Sequence, residues 1–314
     1  ITYAAHLAAM APATRIGAAH PVGGGQGGEG EQDRTLMEKI MTYDEAVRES
    51  SRCLGCEEAP CEQGCQAGLP VRKFIRKLRF GNFRGAARLL REYNVFGGSC
   101  GYVCAVAHQC EKNCTSCQQS VPIRIGSLQC FLADWERRSG TVFEEPVKER
   151  LPGRVAVVGG GPSGLACAYY LARLGVAAEV FDKAEELGGM MSNAIPPFKL
   201  WPEMARWEIG HILNQGVKAH LRQAVPHPRD LLGKGFDAVY LATGLSQQPA
   251  PGIPGAEKRG IFSAIGLLTA CRKTGGIAAL PLGKRAVVVG CGNTAVDAAR
   301  VLRHHGVGEV TILY

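Results

Sequence analysis

The spacing of apolar and polar residues divides the chain into a helical part and a part in which strands and helices alternate. From Leu36 to about Arg138 the apolar positions recur at helical spacing. The loops between the helices in this part would hold most of the cysteines. The pattern predicts helices at Tyr43–Arg52, opening near Thr42, at Val71–Leu78 and at Phe83–Tyr93.

The second part opens on a short apolar run. Arg154–Val158 predicts a buried parallel strand, a helix follows from Ser163 to Leu174, and Ala178–Phe181 predicts a second strand. The same order recurs near the C-terminus, at Ala286–Val289, Thr294–His304 and Glu309–Leu313. We therefore expect an α plus α/β fold: an all-helical domain followed by two Rossmann-like dinucleotide-binding domains, the second one truncated.

Breaks in these patterns define four segments. A glycine-rich stretch at Pro21–Gly28 predicts an extended arm, and charges and prolines around Thr141–Pro152 mark a domain boundary. The predicted segments are an arm at 1–35, a helical domain at 36–145, a first dinucleotide-binding domain at 152–255 and an incomplete second one at 256–314.

Composition and charge exclude several classes of protein. The 314 residues are 46% hydrophobic and 20% charged, which excludes a wholly disordered, collagen-like or coiled-coil protein. The net charge of +8 suits an anionic cofactor or an acidic partner and does not by itself indicate nucleic acid. Glycines interrupt the longest uncharged run, Val155–Ala172, so no membrane span is expected. No basic segment precedes Ala4–Ala13, so a secretory signal is not supported.

Cysteine is the most informative residue type. Nine of the 13 cysteines lie between Cys53 and Cys117. Several thiolates on short loops suit 4Fe-4S clusters, and eight ligands suffice for two; structural zinc is the alternative. In a chain with a large apolar core, this usage indicates a reducing compartment, which we take to be the cytoplasm. The two blocks are Cys53-x2-Cys56-x4-Cys61-x3-Cys65 and Cys100-x3-Cys104-x5-Cys110-x3-Cys114.

The first glycine motif follows the first predicted strand and opens a helix. Glycines at these positions allow a tight turn, close approach of a pyrophosphate and close packing of helix on strand. An acid at the end of the second strand is placed to accept a ribose hydroxyl, and that acid is Asp182, followed by Lys183. The motif residues are Gly159, Gly160, Gly161, Pro162, Ser163 and Gly164.

The second glycine motif has the same arrangement with alanine in the third glycine position, which the fingerprint accepts. It predicts a second dinucleotide site at Gly290, Gly292, Asn293, Thr294 and Ala295. Thr294 and Asp297 could equally be capping residues of the helix. The residues that distinguish NAD from NADP would follow the second strand, and the chain stops there, at Tyr314.

These motifs together resemble a family of flavin and iron–sulfur oxidoreductase subunits. The family is typified by the small subunit of glutamate synthase and the N-terminal half of dihydropyrimidine dehydrogenase, including the separate NAD-linked subunit of the bacterial enzyme. The resemblance covers about residues 40–314. It is carried by the cysteine blocks, the first glycine motif, Gly188-Gly189-Met190, the loop Ile195–Leu200 and Leu241–Gly244.

The resemblance implies two 4Fe-4S clusters with ligands that interlace between the blocks. One cluster would be held by Cys53, Cys56, Cys61 and Cys114. The other would be held by Cys65, Cys104, Cys110 and a fourth ligand, for which Gln129 stands at the matching position and Cys130 is adjacent. Cys100 would then be spare.

The resemblance also assigns FAD to the first glycine unit and NADPH or NADH to the second. Gly188, Gly189, Met190, Ile195 and Pro196 would pack near the flavin ring, and Thr243 and Gly244 would approach the FAD; an ordinary turn and a surface loop are the alternatives. The family chain returns after the second unit to complete its FAD domain. Either this chain is a fragment or its flavin site is incomplete.

The implied function is electron input. A hydride from NAD(P)H would reach FAD, and single electrons would pass through two clusters to a partner subunit or domain that reduces the substrate. The alternatives are a subunit of a ferredoxin-dependent bifurcating transhydrogenase and a non-enzymatic zinc and nucleotide scaffold. No nucleic-acid partner is expected. The basic stretch Val71–Arg91 is either a solvated helix face or a docking surface for an acidic partner.

Overall fold

The computed structural model describes residues 40–141, 143, 145–245, 252, 254–272, 280 and 282–314. The arm predicted at 1–35 lies outside these residues. No helix within the described ranges has both the length and the apolar character needed to cross a membrane.

The N-terminal part is helical, and its three predicted helices agree with the structure to within one residue. A capping box starts α1, because the Thr42 hydroxyl accepts from the Glu45 amide at 3.3 Å and the Glu45 carboxylate accepts from the Thr42 amide at 2.8 Å. The helices are α1 (Tyr43–Ser51), α2 (Pro60–Gln63), α3 (Val71–Arg79), α4 (Phe83–Tyr93), α5 (Gly97–Val103) and α6 (Ile125–Ser139). Short 3₁₀ turns at Val106–His108 and Thr115–Gln118 lie between α5 and α6.

A four-stranded parallel sheet forms the first dinucleotide-binding unit, with strand order β3-β2-β1-β4. The register places Val158 of β1 beside Phe181 of β2 and Leu241 of β4, so three strands end together at one edge of the sheet. The elements are β1 (Arg154–Val158), α7 (Pro162–Arg173), β2 (Ala177–Phe181), α8 (Met190–Asn193), α9 (Pro202–Asn214), β3 (Lys218–His220), a 3₁₀ turn (Pro228–Lys234) and β4 (Ala238–Leu241).

The second unit repeats the strand–helix–strand order on a smaller scale. Its two strands pair in parallel, as the sequence predicts for a βαβ unit. The elements are α10 (Ala264–Arg272), β5 (Arg285–Val289), α11 (Asn293–His304) and β6 (Glu309–Leu313).

The helical domain and the first sheet share one hydrophobic core. Tyr102 of α5 and Ala133 of α6 are buried in the same cluster as Leu165 of α7 and Met204 of α9. This shared core fixes the cysteine-bearing helices against the sheet. A separate cluster buries Phe198, from the loop after α8, among residues of α10, β5 and α11.

Arg91 corrects part of the expectation for the basic stretch. Its side chain is 2% exposed and therefore does not belong to a solvated face. Its guanidinium lies 2.8 Å from the Glu136 carboxylate and 3.6 Å from that of Glu208, and it stacks 4.8 Å from the Trp207 ring centroid. The last turn of α4 therefore faces inward, onto α6 and α9.

Candidate cofactor sites

The first cysteine group surrounds a cavity in the helical domain. Cys53, Cys56, Cys61 and Cys114 line it, together with Arg72 of α3. The Cys56 thiol also lies 3.3 Å from the Thr115 hydroxyl, so the first and last loops of the domain meet here. These are the four residues that the resemblance assigns to one cluster.

Burial raises the pKa of two thiols in this group, Cys61 and Cys53. Burial raises the pKa of Cys61 to about 12, and the neighbouring Cys114 and Cys53 sulfurs add to that rise. Burial likewise raises the pKa of Cys53, where a hydrogen bond from the Gly55 amide and the charge of Arg79 act in the opposite direction. A thiol must lose its proton to become a metal ligand, so such sulfurs need a bound cation to stay ionised.

The second cysteine group forms around Cys65, Cys104 and Cys110. Burial raises the pKa of Cys104 to about 11, and Cys65 and Glu111 reinforce it. Burial raises the pKa of Cys110 also, with further contributions from Glu111, Cys104 and Cys65. The charge of Cys65 acts on both Cys104 and Cys110, so the three residues lie in one part of the helical domain. The interlaced assignment itself stays a prediction.

Cys100 lies close to the second group. Burial raises its pKa, a side-chain hydrogen bond with Asn94 opposes the rise, and Cys104 and Cys65 are among the charges that add to it. The spacing counts Cys100 among eight candidate ligands and the resemblance leaves it spare, whereas in the structure the charges of Cys104 and Cys65 act on it.

Gln129 lies on α6, close to where that helix packs on α5. The residue is 6% exposed, and its amide atoms are not among the fully buried polar atoms that lack a hydrogen-bond partner in the described part of the chain. Its role as a cluster ligand, which the resemblance implies, stays a prediction. The adjacent Cys130 is buried against Gly101, where an added Cβ would lie 2.7 Å from the Cys130 sulfur.

Both donor sets fit iron–sulfur clusters in their chemistry. Each offers soft thiol sulfurs, and those of the first set line a partly enclosed cavity. In the described part of the chain, no three His, Cys, Asp or Glu side chains converge as ligands of a single metal ion.

The first glycine loop packs too tightly for any side chain at two positions. An added Cβ on Gly164 would lie 1.9 Å from the Gly159 carbonyl oxygen. One on Gly159, whose φ is +111°, would lie 2.2 Å from the Ala242 carbonyl oxygen. The loop is thereby wedged between β1, β4 and the start of α7, with Gly161, Pro162 and Ser163 at the helix N-terminus.

Asp182 holds this loop from the end of β2. Its carboxylate accepts from the Gly160 amide at 2.6 Å and from the Ala184 amide at 2.8 Å. A carboxylate has about four acceptor positions, so two bonds leave room for the ribose hydroxyl that the sequence predicts. Lys183 follows it directly.

The Gly188-Gly189 turn lies against the first glycine loop. The Gly188 amide donates to the Gly160 carbonyl at 2.7 Å, and an added Cβ on Gly189 would lie 2.8 Å from the Gly161 Cα. Met190 begins α8, and Ile195 and Pro196 follow that helix. The structure therefore brings these residues together with the first motif, whereas the flavin contact itself stays a prediction.

Thr243 and Gly244 follow β4 at the same edge of the sheet. Gly244 has a φ of +69°, which favours glycine, although no neighbouring atom lies within 4 Å of an added Cβ. Sequence reasoning missed Tyr240 of β4, whose hydroxyl lies 3.0 Å from that of Ser163. A tyrosine facing the start of α7 across β1 could have been found from the strand alternation.

The second glycine motif begins α11, with Gly292 as the N-terminal cap and no side-chain capping bond. Gly290 has a φ of +101°, Asn293 and Thr294 open the helix, and Ala295 is buried. The alternative of Thr294 and Asp297 as capping residues is therefore wrong.

Asp297 instead joins the two dinucleotide-binding units. Its carboxylate lies 2.8 Å from the Lys199 ammonium, in the loop Ile195–Leu200. The neighbouring Phe198 ring carries the Arg300 guanidinium 4.2 Å from its centroid. The loop that follows α8 thus contacts the helix that would carry the nicotinamide dinucleotide.

Two family descriptions match the chain. Dihydropyrimidine dehydrogenase domain II, 4Fe-4S cluster, matches residues 31–141, and pyridine nucleotide-disulphide oxidoreductase matches residues 153–314. The chain belongs to the pyridine nucleotide-disulphide oxidoreductase family. The resemblance and the fold class that the sequence predicts are confirmed, as is an oxidoreductase with iron–sulfur and dinucleotide-binding domains.

Curated relatives combine the same two parts. The chain is 35% identical over 268 residues to the NAD-dependent dihydropyrimidine dehydrogenase subunit PreT of Escherichia coli strain K12, covering 85% of this chain and 64% of that protein. It is 31% identical over 280 residues to the glutamate synthase (NADPH) small chain of the same strain, covering 86% and 59%. The chain thus spans less than two thirds of the length of these relatives.

Among solved structures, the chain is similar to Mycobacterium tuberculosis FprA in complex with NADPH. The identity is 20%, the TM-score is 0.46, and the match covers 52% of this chain and 43% of that one.

Proposed function

We propose that this chain is the electron-input part of a flavin and iron–sulfur oxidoreductase, which takes reducing equivalents from NADH or NADPH and delivers them to a partner. The observation that carries the proposal is the position of α6, which joins two cores. Ala133 of this helix is buried in the core shared with the first sheet, and Leu128 is buried in the core of the helical domain, against which Cys53, Cys61, Cys65 and Cys114 pack. When bound, the nicotinamide supplies a hydride, the flavin converts the two electrons into single ones, and each cluster carries one electron at a time.

The residues of the chain divide the binding tasks. The turn Gly159–Gly164 would hold the FAD pyrophosphate at the start of α7, with Asp182 on the ribose. Gly188 and Gly189 would let the flavin ring approach the backbone. The turn Gly290–Ala295 would hold the nicotinamide dinucleotide in the same manner.

The cysteines would hold two 4Fe-4S clusters as the interlaced assignment has it. The cavity that Cys53, Cys56, Cys61 and Cys114 line supports the first set. The action of the Cys65 charge on both Cys104 and Cys110, with Gln129 buried on α6, supports the second. Reduced thiols in this number also support a cytoplasmic location.

The partner would be a catalytic subunit or domain of the dihydropyrimidine dehydrogenase or glutamate synthase type. The names of the relatives, a dihydropyrimidine dehydrogenase subunit and a glutamate synthase small chain, support this proposal. Electron balance requires that each NAD(P)H serve one two-electron reduction or two one-electron acceptors.

The test is anaerobic purification of the full-length protein with quantified iron, sulfide, zinc and flavin, followed by titration with NADH and with NADPH. We expect about eight irons and one flavin per chain. We also expect one of the two nucleotides, NADH or NADPH, to bleach the visible spectrum. Zinc without iron, or no bleaching by either nucleotide, would overturn the proposal.

A further inference from the structure

One side of α3 carries three arginines next to the first cysteine group. Arg72, Arg76 and Arg79 are spaced i, i+4 and i+7, so they follow one stripe along the helix. Arg76 and Arg79 are exposed, and Arg72 is partly buried where it lines the cavity. Together with Leu54, these three arginines are called here the arginine rim.

The arginine rim touches the edge of the cysteine site. The Arg72 guanidinium donates to the Cys56 carbonyl at 3.0 Å and to the Glu57 carbonyl at 2.9 Å. The charge of Arg79 acts on the Cys53 sulfur. Leu54, which stands between those two cysteines in the chain, lines the cavity and is 53% exposed. The cavity thus reaches the surface beside these cations.

No acidic side chain neutralises the exposed part of this surface. The segment 71–91 contains no Asp or Glu, and among the described residues Arg76 and Arg79 form no ion pair. Arg91, from the same basic segment, shows the contrast, because two buried glutamates partner it. The buried Arg91 is thus neutralised by acidic partners, whereas Arg76 and Arg79 present their guanidinium groups to solvent.

We propose that the arginine rim is the docking surface for an acidic, one-electron-accepting protein or domain, which it seats over the Cys53–Cys56 edge of the first cysteine group. The inference deepens the proposed function, on which it rests, by naming the exit surface and the charge of the partner. Complementary charge would steer the encounter, and the exposed Leu54 would provide the apolar contact at its centre.

Charge complementarity favours an acidic protein as the occupant. Exposed arginines bind carboxylates in a two-pronged geometry and are enriched at protein interfaces. Such steering is screened over about 8 Å at physiological salt, so binding must weaken as salt rises.

The experiment measures binding of the full-length protein to two small electron carriers of opposite charge: oxidised flavodoxin, which is acidic, and oxidised cytochrome c, which is basic. The test variant is Arg76→Glu with Arg79→Glu. The matched control is Arg229→Glu with Lys234→Glu, which makes the same change in net charge at exposed positions of the first sheet unit. Titration calorimetry at low and high salt gives the affinities.

We expect the test variant to weaken flavodoxin binding about tenfold or more at low salt and to leave or strengthen cytochrome c binding, while the control changes flavodoxin binding by less than about twofold. The difference should vanish at about 0.5 M salt. Equal losses in both variants, or tight flavodoxin binding by the test variant, would overturn the proposal. So would wild-type protein that does not bind flavodoxin, as expected if another segment of the chain covers the rim.

Bleaching of the visible spectrum by NADH or NADPH, measured beside flavodoxin binding, separates this inference from the proposed function. Protein that binds flavodoxin at the rim but is not bleached by NADH or NADPH refutes the proposed function and leaves the docking surface standing. Protein that is bleached normally, with binding indifferent to the rim charges, refutes the docking surface alone.

Discussion

The carboxylate of Glu208 joins the sheet unit to the helix that precedes Cys104. One of its oxygens accepts from the Ser99 hydroxyl at 2.6 Å and from the Ser99 amide at 3.1 Å, and the other accepts from the Gly98 amide at 2.8 Å. Both amides belong to the first turn of α5, which has no partner for them within the helix. Burial raises the pKa of Glu208, and the charge of Arg91 and these hydrogen bonds oppose it. The position of α5 is therefore set from α9.

Removing this carboxylate should destabilise the interface between the two parts. Glu208→Ala leaves the buried Arg91 with one acid and the α5 amides with none, so the free energy of unfolding should fall by about 3–5 kcal/mol. Chemical denaturation measures it. Glu203→Ala, on the same helix but in an exposed pair with Arg206, should cost less than about 1 kcal/mol. Equal costs would show that the buried bonds add nothing.

The glycine loop should tolerate no side chain at Gly164. The added methyl of Gly164→Ala would meet the Gly159 carbonyl oxygen at 1.9 Å, so the turn must open and flavin per chain should fall at least tenfold. The absorbance of released flavin measures the loss. Gly210→Ala, inside α9 with no atom within 4 Å of the new Cβ, should retain flavin and gain about 1 kcal/mol of stability. Equal flavin in both variants would contradict the close fit.

Substituting a ligand of one cysteine group should remove the iron of that group and leave the iron of the other group in place. Cys114→Ser should remove about four of about eight irons, because it takes a ligand from the first cluster alone. Gln129→Ala should instead affect the second cluster, and Gln129→Cys should preserve its iron. Iron and sulfide analysis with low-temperature electron paramagnetic resonance checks this. Cys117→Ser, at an exposed thiol three residues from Cys114, should keep all the iron. Iron loss from that control would refute the assignment.

A polar network across three strands should make stability depend on pH. Burial raises the pKa of Glu179, but hydrogen bonds from Arg154 at 2.9 Å and with His220 at 2.8 Å outweigh it and hold the pKa below its ordinary value. A lowered acid pKa adds stability that is complete above the unfolded pKa and is lost as pH falls through the folded one.

The free energy of unfolding of the wild type should therefore exceed that of Glu179→Gln by about 1 kcal/mol at pH 7. This difference should disappear below about pH 4. Denaturant unfolding at several pH values measures it. Glu185→Gln, in an exposed pair with Arg222, should show no gap at any of these pH values. A gap that persists at low pH would exclude this network as its cause.

The contact between Lys199 and Asp297 should hold α11 against the loop that precedes α9. Lys199→Gln should lower the local opening free energy of the first turn of α11 by about 1 kcal/mol, since a half-buried charged hydrogen bond is lost. Hydrogen exchange of the α11 amides measures it. The charge-swapped pair Lys199→Asp with Asp297→Lys should restore protection of the α11 amides. If it does not, the packing of Phe198 rather than the ion pair stabilises α11 against the loop.

The sequence predicts the local elements well because each has a strong signal. The bounds of β1, α4 and β6 match the prediction residue for residue, since apolar runs and turn residues delimit them. The first glycine motif likewise stands where strand, turn and helix were expected.

The contacts between distant residues lay beyond the sequence. Arg91 sits among arginines that are exposed, and only the inward turn of α4 distinguishes it. Glu208, its partner, lies 117 residues later in a helix with no motif. Local spacing permits the Asp297 carboxylate as a helix cap, which is one of the two alternatives for it, while its partner in the structure, Lys199, comes from another unit. Tertiary partners of this kind decide the role of a charged side chain.

The shared cavity of Cys53 and Cys114 has a consequence for how the protein is made. These residues are 61 positions apart, yet they line the same space, and Thr115 contacts Cys56 there. On the ribosome, the first loop emerges well before the residue that completes its site. The thiols of Cys53, Cys56 and Cys61 must therefore stay reduced, while still accessible to oxidants, until the loop that carries Cys114 has left the exit tunnel.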